Sequence, residues 1–391
     1  MYTSHSIEKE KAGSSTYENQ SLAYSNDRGR SWKKYKDNPV LSNPGFRDFR
    51  DPKLIWHEGT KKWVMVIAAY DHISVYTSSD LKLWTHTSDF GKQFGNHKGV
   101  WECQDLFPIR VENHREIKWV LLQSINPGGP NGGSATQYFV GDFDGEKFTL
   151  DSIFEHKGND GNAVWIDQGK DNYAGVTWSG IPDSDGRRIF LGWMSNWQYA
   201  QKVPTSIWRS ANTIPRELKL EKSTQGYLLK SLPVKELVSL EAHTRNIPAT
   251  VIDTSLLIME HNPTARLELT FKNPGTVAIT IRLSNTTGEY IDIGYNLMNQ
   301  TYFIDRNQSG KTDFSNEFTG KQISKIDYEN QEIQFMILLD HASVELFADG
   351  GRCVMTSIFF PSPPFDKAEI ISSDGPVELQ AGKISTLKSI W

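Results

Sequence analysis

Short runs of alternating apolar and polar residues dominate the chain, and clusters of turn-forming residues separate them. One pair of runs covers residues 51–56 and 62–67. The same pattern returns at residues 104–109 and 118–122, so position 51 corresponds to 105 and position 63 to 119. A weaker copy runs from residues 171–174 to 188–193. Runs of this length with a period of two predict β-strands joined by tight turns.

A second recurring element is an acidic turn placed before an aromatic residue. It occurs as Ser25-Asn26-Asp27 before Trp32, Ser78-Ser79-Asp80 before Trp84, and Gly141-Asp142-Phe143-Asp144 before Phe148. Asp and Gly favour the turn, and the aromatic residue would pack on the outer strand. Strand units recurring at about 50 residues are typical of β-propeller blades. With no useful helical period before residue 220, the pattern predicts a propeller.

The composition changes after the first half of the chain. Eleven of the twelve tryptophans lie at or before Trp208, and the last is Trp391. Short, half-buried strands are predicted at residues 250–252, 266–270, 277–281, 335–339 and 343–347, which is typical of a β-sandwich. We therefore predict an all-β protein with a propeller at residues 1–222 and a sandwich at residues 235–391.

Charge and composition exclude several classes of protein. The 42 Lys+Arg and 47 Asp+Glu give a net charge of -5, with no electrostatic reason to expect a nucleic-acid or membrane partner. The longest apolar run, residues 64–70, is far shorter than the roughly 20 residues of a membrane span. Two cysteines and no zinc-type His spacing predict neither a metal nor a cofactor. The N-terminus lacks the apolar segment of a signal peptide, and the compartment is left open.

Two acidic residues occupy related places in the repeats. Asp51 lies in Phe-Arg-Asp-Pro at the start of one predicted inner strand, and Glu102 lies in Trp-Glu-Cys in the next repeat. Equivalent positions of successive blades converge on a propeller axis, where two facing carboxylates suit glycoside cleavage. The alternative is that Asp51 caps a turn before Pro52 and Glu102 is a solvated rim charge.

These motifs resemble glycoside hydrolase family 32, the invertase, inulinase and levanase family. The resemblance continues through Gly141–Gly145, Asp167–Ala174, Gly192–Trp197, Trp208–Ser210, Ile214–Leu218, Asp340–Phe347 and Phe359–Pro361. It implies a five-bladed propeller followed by a sandwich, and β-fructofuranosidase activity on levan, inulin or sucrose by a retaining two-carboxylate mechanism. Members of the family are often secreted.

The resemblance also implies roles for individual residues. Glu102 would be the general acid/base. Asp51 would hold the fructosyl hydroxyls and stabilise the transition state, and Arg50 would add charge-assisted hydrogen bonds. Four further residues are candidates for substrate binding: Trp193 and Trp197 as apolar faces, for which core packing is the alternative, and Asp171 and Tyr173 at the rim of the pocket.

The sequence departs from the family pattern in three places. The Trp-Met-Asn-Asp-Pro-Asn-Gly segment that carries the family's nucleophile does not occur in these residues. We therefore expect an N-terminally truncated chain with most of the first blade missing and little or no activity. Gln104 replaces a usual Pro and Asn172 a common aromatic residue, both near the expected pocket. A carbohydrate-binding relative without activity and a fructosyltransferase are the alternative functions.

Overall fold

The computed structural model describes residues 1–152, 154, 163–182, 184–273, 278–326, 328, 331–373 and 375–390. Almost all regular structure in this part of the chain is β-strand, as predicted. In the N-terminal half the strands are β1 (Tyr2–His5), β2 (Glu18–Ser21), β3 (Ala23–Tyr24), β4 (Lys33–Lys34), β5 (Phe49–His57), β6 (Lys62–Ala69), β7 (Ile73–Ser78), β8 (Thr85–Phe90), β9 (Val100–Arg110), β10 (Ile117–Asn126), β11 (Ala135–Phe143), β12 (Phe148–Leu150), β13 (Tyr173–Thr177), β14 (Arg188–Met194), β15 (Ala211–Asn212), β16 (Arg216–Ser223) and β17 (Gly226–Pro233).

These strands form successive antiparallel sheets, the blades of a propeller. Blade A is β5-β6-β7-β8, blade B is β9-β10-β11-β12, and blade C is β13-β14-β16-β17 with β15 paired to β14. Two smaller sheets, β1-β2 and β3-β4, precede them. The first strands of blades A and C both contact β9, which places the three first strands side by side at the centre.

Acidic turns connect the outer strands, as the sequence predicts. Asp80 Oδ1 accepts the backbone N–H groups of Lys82 and Leu83 at 2.8 and 3.0 Å. Asp144 Oδ1 accepts two backbone N–H groups of its own turn at 2.8 Å each. These hydrogen bonds lower the pKa of both carboxyl groups, because they stabilise the ionised form. The Asp in each repeat therefore fixes the turn.

A short helix, α1 (Ile7–Lys11), lies between β1 and β2 and was not predicted. Its five residues are too few to show a helical period. The Ser6 side chain caps it by accepting the backbone N–H of Lys9 at 3.4 Å. No helix within the described residues is long and apolar enough to cross a membrane.

The C-terminal half is a sandwich of two antiparallel sheets. Its strands are β18 (Glu241–Ile247), β19 (Thr250–Ile252), β20 (Ser255–Met259), β21 (Ala265–Lys272), β22 (Ile279–Ser284), β23 (Tyr290–Asn296), β24 (Thr301–Asp305), β25 (Lys321–Lys325), β26 (Glu332–Asp340), β27 (Ser343–Ala348), β28 (Cys353–Ile358), β29 (Lys367–Ser372) and β30 (Val377–Leu387). Two 3₁₀ turns are at Lys235–Leu240 and Asp349–Gly351.

One sheet has the order β18-β30-β21-β26-β27-β28 with β19 paired to β30, and the other β20-β29-β22-β23-β24-β25. In β21 and β22 every second side chain is buried, so alternate residues of the two sheets form one apolar core. The five predicted strands are confirmed, although Val277 of one of them lies outside the described residues. The domain limits at residues 222 and 235 stay predictions; β17 of blade C extends to Pro233.

Candidate active site

The first strands of the three blades share a β-bulge at the same place. The pairing register shifts after Arg50 in β5, after Glu102 in β9 and after Tyr173 in β13. The next residue in each strand has a positive φ: 63° at Asp51, 49° at Cys103 and 53° at Ala174. A bulge bends its strand and redirects the adjacent side chains. The three bulges therefore aim equivalent side chains at one place.

Those equivalent side chains contact one another. Arg50 Nη2 and Nε donate to Glu102 Oε1 at 2.8 and 3.2 Å. The Tyr173 hydroxyl donates to Glu102 Oε2. Glu102 thus accepts hydrogen bonds on both oxygens, while its side chain remains 22% exposed. Burial, followed by the charge of Glu102, raises the pKa of Tyr173, which keeps this hydroxyl protonated as a donor.

The structure corrects the register of the sequence repeat. Glu102 is equivalent to Arg50, and Asp51 is equivalent to Cys103, so the offset at the centre is 102 − 50 = 52 residues. The matching of Asp51 with Asp105 by their shared sequence pattern is wrong, because Asp51 lies in its bulge whereas Asp105 follows its own bulge and is equivalent to Lys53. Asp51 and Glu102 lie near one another through these neighbouring, not equivalent, positions.

Asp51 is held beside Glu102 by the next blade. Its Oδ2 accepts the backbone N–H of Cys103 at 2.9 Å, and the Cys103 Sγ lies 3.6 Å from the same oxygen. Burial raises the pKa of Asp51, because a charged carboxylate loses hydration there. Burial and the charge of Asp51 also raise the pKa of Cys103, so the thiol remains protonated.

Two carboxylates that the sequence did not single out complete the cluster. Arg50 Nη1 contacts Asp48 Oδ1 at 2.5 Å and Glu18 Oε1 at 3.4 Å. Glu18 is buried, which raises its pKa. Asp48 could have been predicted from the sequence, because it lies only two residues before Arg50. Glu18 could not, because it belongs to no repeated motif. One guanidinium therefore faces three carboxylates.

A second polar layer lies three to four residues further along the same strands. Lys53 Nζ is 3.2 Å from Asp105 and donates to the carbonyl oxygen of Thr177 at 2.7 Å. The Thr177 hydroxyl donates to Asp105 Oδ2 at 2.7 Å. These positions repeat with the same 52-residue offset, 105 − 53, in blades A and B. The layer ties the three blades together beneath Glu102.

The two predicted tryptophans extend from Tyr173. The ring centroid of Trp193 lies 6.2 Å from that of Tyr173, and the ring of Trp197 lies 5.0 Å from Trp193. Trp197 is 48% exposed, and its backbone N–H donates to Ser134 Oγ at 3.1 Å. Core packing does not explain so exposed a ring. The pair forms an apolar wall next to the carboxylates.

Asp171 lies elsewhere. Its carboxylate is completely buried in the contact between propeller and sandwich, where Arg306 Nη1 reaches Oδ2 at 2.6 Å and the Tyr199 hydroxyl reaches Oδ1 at 2.6 Å. The structure therefore contradicts the expectation that Asp171 lines the pocket rim, because both of its oxygens are occupied by protein donors. Asn172 is also buried and donates to Asp167 at 3.2 Å, so its departure from the family pattern does not alter the pocket.

Carboxylates brought together at the centre of the propeller, one of them partly exposed, form the kind of site that glycoside cleavage uses. The model of the "Glycosyl hydrolases family 32 N-terminal domain" matches residues 1–231, and that of the "Glycosyl hydrolases family 32 C terminal" matches residues 234–388. The chain belongs to glycosyl hydrolase family 32. In the described residues no group of three or more His, Cys, Asp or Glu side chains is arranged to hold a metal ion.

Individual relatives agree with this assignment. The levanase of Bacillus subtilis (strain 168) is 42% identical over 379 residues, which cover 95% of this chain and 55% of that protein. The extracellular exo-inulinase of Aspergillus niger is 35% identical and is covered to 72% of its length. The exo-inulinase structure from Aspergillus awamori superimposes with a TM-score of 0.88 at 32% identity, covering 96% of this chain and 75% of that one. The chain thus spans about half the length of the levanase.

Proposed function

We propose that this protein hydrolyses fructosyl linkages in fructans or sucrose, with Glu102 as the general acid/base. The position of Glu102 carries the proposal. Donors from Arg50 and Tyr173 fix its two oxygens, yet the side chain stays partly open to solvent. A carboxyl group held in this way is suited to protonate a leaving oxygen and then to take a proton from water.

Asp51 is assigned to the fructosyl hydroxyls. Cys103 holds one of its oxygens, which orients the carboxylate for a polar ligand beside Glu102. Arg50 contacts Glu18, Asp48 and Glu102, so we assign it to neutralising and orienting the carboxylates. Tyr173 fixes Glu102, and Trp193 and Trp197 offer apolar faces to a furanose ring.

The names of relatives support this class of substrate. The matched proteins include a levanase and exo-inulinases, and a fructofuranosidase of Schwanniomyces occidentalis, 28% identical with a TM-score of 0.80, is described as complexed with fructose. The near-neutral charge balance fits a neutral sugar polymer better than a charged one.

The test is fructose release from sucrose, inulin and levan by the folded chain, next to a Glu102→Gln variant. We expect slow release by the native chain, because the nucleophile motif does not occur in these residues. In the variant the rate should fall by at least a further factor of about a hundred, because general acid catalysis contributes about 10² to 10⁴ in rate. Equal rates in both proteins would contradict the role of Glu102.

A second candidate is a carbohydrate-binding protein without turnover. A retaining mechanism needs a nucleophilic carboxyl group roughly 5–5.5 Å from the acid. The motif that carries it in the family does not occur in the 391 residues. Saturable fructose binding by native protein that releases no fructose would favour this candidate, and transfer of fructose to another sugar would favour a transferase.

A further inference from the structure

Asp51 adopts an unusual backbone conformation for its place in the site. Its φ of 63° lies in the left-handed region, which non-glycine residues adopt when surrounding contacts enforce it. The bulge in β5 leaves Asp51 and Pro52 without Cα partners in β6, between Arg50 and Lys53, so the Asp51 carbonyl lies outside the regular part of the ladder. A donor from elsewhere has to satisfy this carbonyl oxygen.

Gln104 provides that donor. It lies in β9 of the next blade, is 1% exposed, and its Nε2 donates to the carbonyl oxygen of Asp51 and, at 3.0 Å, to that of Val66. Both partners are carbonyl oxygens, which accept and cannot donate, so the amide nitrogen has to face them. The Gln104 Oε1 has no hydrogen-bond partner among the described residues, so the side chain is fixed through Nε2.

Two adjacent residues of β9 therefore hold Asp51 by hydrogen bonds, one to its side chain and one to its backbone. Cys103 donates its backbone N–H to the carboxylate at 2.9 Å, and Gln104 donates its side-chain amide to the carbonyl. The third polar group of Asp51, its backbone N–H, donates to Thr3 Oγ1 at 3.1 Å. A proline at position 104 has no side-chain donor, so a chain with proline there would lack the contact to the carbonyl.

We propose that Gln104 is a positioning residue that fixes the Asp51 bulge and, through it, the direction of the Asp51 carboxylate. The side chain acts without touching a ligand, because it is buried behind the backbone of Asp51. Its consequence for sugar binding rests on the function proposed above, but its effect on Asp51 does not.

The first test needs no ligand. Hydrogen exchange of the Cys103 backbone amide, resolved by NMR, reports whether the Asp51 carboxylate stays in place as its acceptor. Gln104→Met keeps the side-chain length and removes the donor, and we expect the Cys103 amide to exchange about tenfold faster. Gln322→Met is the matched control: Gln322 is also 1% exposed and donates to Ser357 Oγ at 2.9 Å in the sandwich.

An unchanged Cys103 exchange rate in folded Gln104→Met would overturn the proposal. Equal acceleration in Gln104→Met and Gln322→Met would also overturn it, because it would show general destabilisation. If Gln104→Met does not fold, Gln104→Asn replaces it: this variant keeps an amide but is one methylene too short to reach Asp51, and the same acceleration is expected.

The second test measures fructose affinity by titration. We expect Gln104→Met to weaken binding about tenfold in the native background and to have no further effect in an Asp51→Asn background, because both changes act on one carboxylate. Additive effects would contradict a role through Asp51. If the native chain binds no fructose, the proposed function fails, whereas the exchange experiment still decides the role of Gln104.

Discussion

Two clusters of charged side chains, which share the short segment from Asp171 to Tyr173, differ in their burial and in their balance of charge. The central cluster contains Glu102, Arg50 and Tyr173, with Arg50 and Glu102 side chains 21% and 22% exposed. The contact between the domains contains Asp171 and Arg306, both completely buried. The first cluster has carboxylates in excess over its guanidinium and an open side, whereas the second pairs its charges and fills every direction with protein donors.

Strand β13 and the residue two positions before Tyr173 contribute one side chain to each of the two clusters. Asp171 precedes β13, and its carboxylate accepts from Tyr199, Arg306 and the backbone N–H of Ile358, at 2.6, 2.6 and 3.0 Å. Two residues later, Tyr173 reaches Glu102 in the centre of the propeller. The domain contact is rigid because protein donors occupy both oxygens of Asp171. The central carboxylates are partly exposed, so they can still accept hydrogen bonds from a ligand.

The largest effect is expected from breaking the buried pair. Arg306→Met leaves Asp171 charged and buried without its partner, which should lower the free energy of unfolding by about 3–5 kcal/mol. The matched control is Arg282→Met, since Arg282 is 35% exposed and pairs with Asp292 at 2.8 Å on the sandwich surface. For Arg282→Met we expect the free energy of unfolding to fall by about 1 kcal/mol. Urea unfolding measures both, and similar losses would contradict the contrast between buried and exposed pairs.

Removing one hydroxyl from each cluster gives an intermediate effect. Tyr199→Phe leaves Asp171 and Arg306 without a shared buried partner, so we expect a loss of about 1–3 kcal/mol. Tyr173→Phe should lower the free energy of unfolding by about 1 kcal/mol or less, because water can reach Glu102 in place of the hydroxyl group. Fructose release should respond in the opposite order, with Tyr173→Phe the more damaging change. A stability loss that is larger for Tyr173→Phe would show that the central cluster is the more tightly coupled one.

The smallest effect is the pH dependence of stability that the buried Asp51 contributes. Burial raises the folded-state pKa of Asp51 above its ordinary value of 3.8, so its contribution to stability is present below that pH and is lost as pH rises through the folded pKa. Asp51→Asn keeps an acceptor for Cys103 without the charge. We therefore expect a slightly higher urea midpoint than the native protein at pH 7 and no difference near pH 3. A lower midpoint at pH 7 would mean that the charge of Asp51 stabilises the fold.

Much of the site could be predicted from the sequence, and the two errors of that prediction have different causes. Glu102, Asp51, Arg50 and Tyr173 were identified from motifs, and the structure brings them together. The family resemblance assigns Asp171 to the same pocket, yet its side chain lies in the domain contact, where Arg306 and Tyr199 bind it. Glu18 was missed, because a single carboxylate on the short strand β2 carries no recurring pattern.

Local sequence determined the strands, the acidic turns and the repeat of the blades, because alternation and turn chemistry depend on neighbouring residues. The tertiary structure decided which residues are equivalent around the centre, since the bulges that define this equivalence leave no trace in the hydrophobic pattern. It also decided the partners of Asp171 and Asp51, which come from Arg306, 135 residues away, and from Cys103 and Gln104 in the next blade. Such contacts form between strands distant in sequence, so no local pattern encodes them.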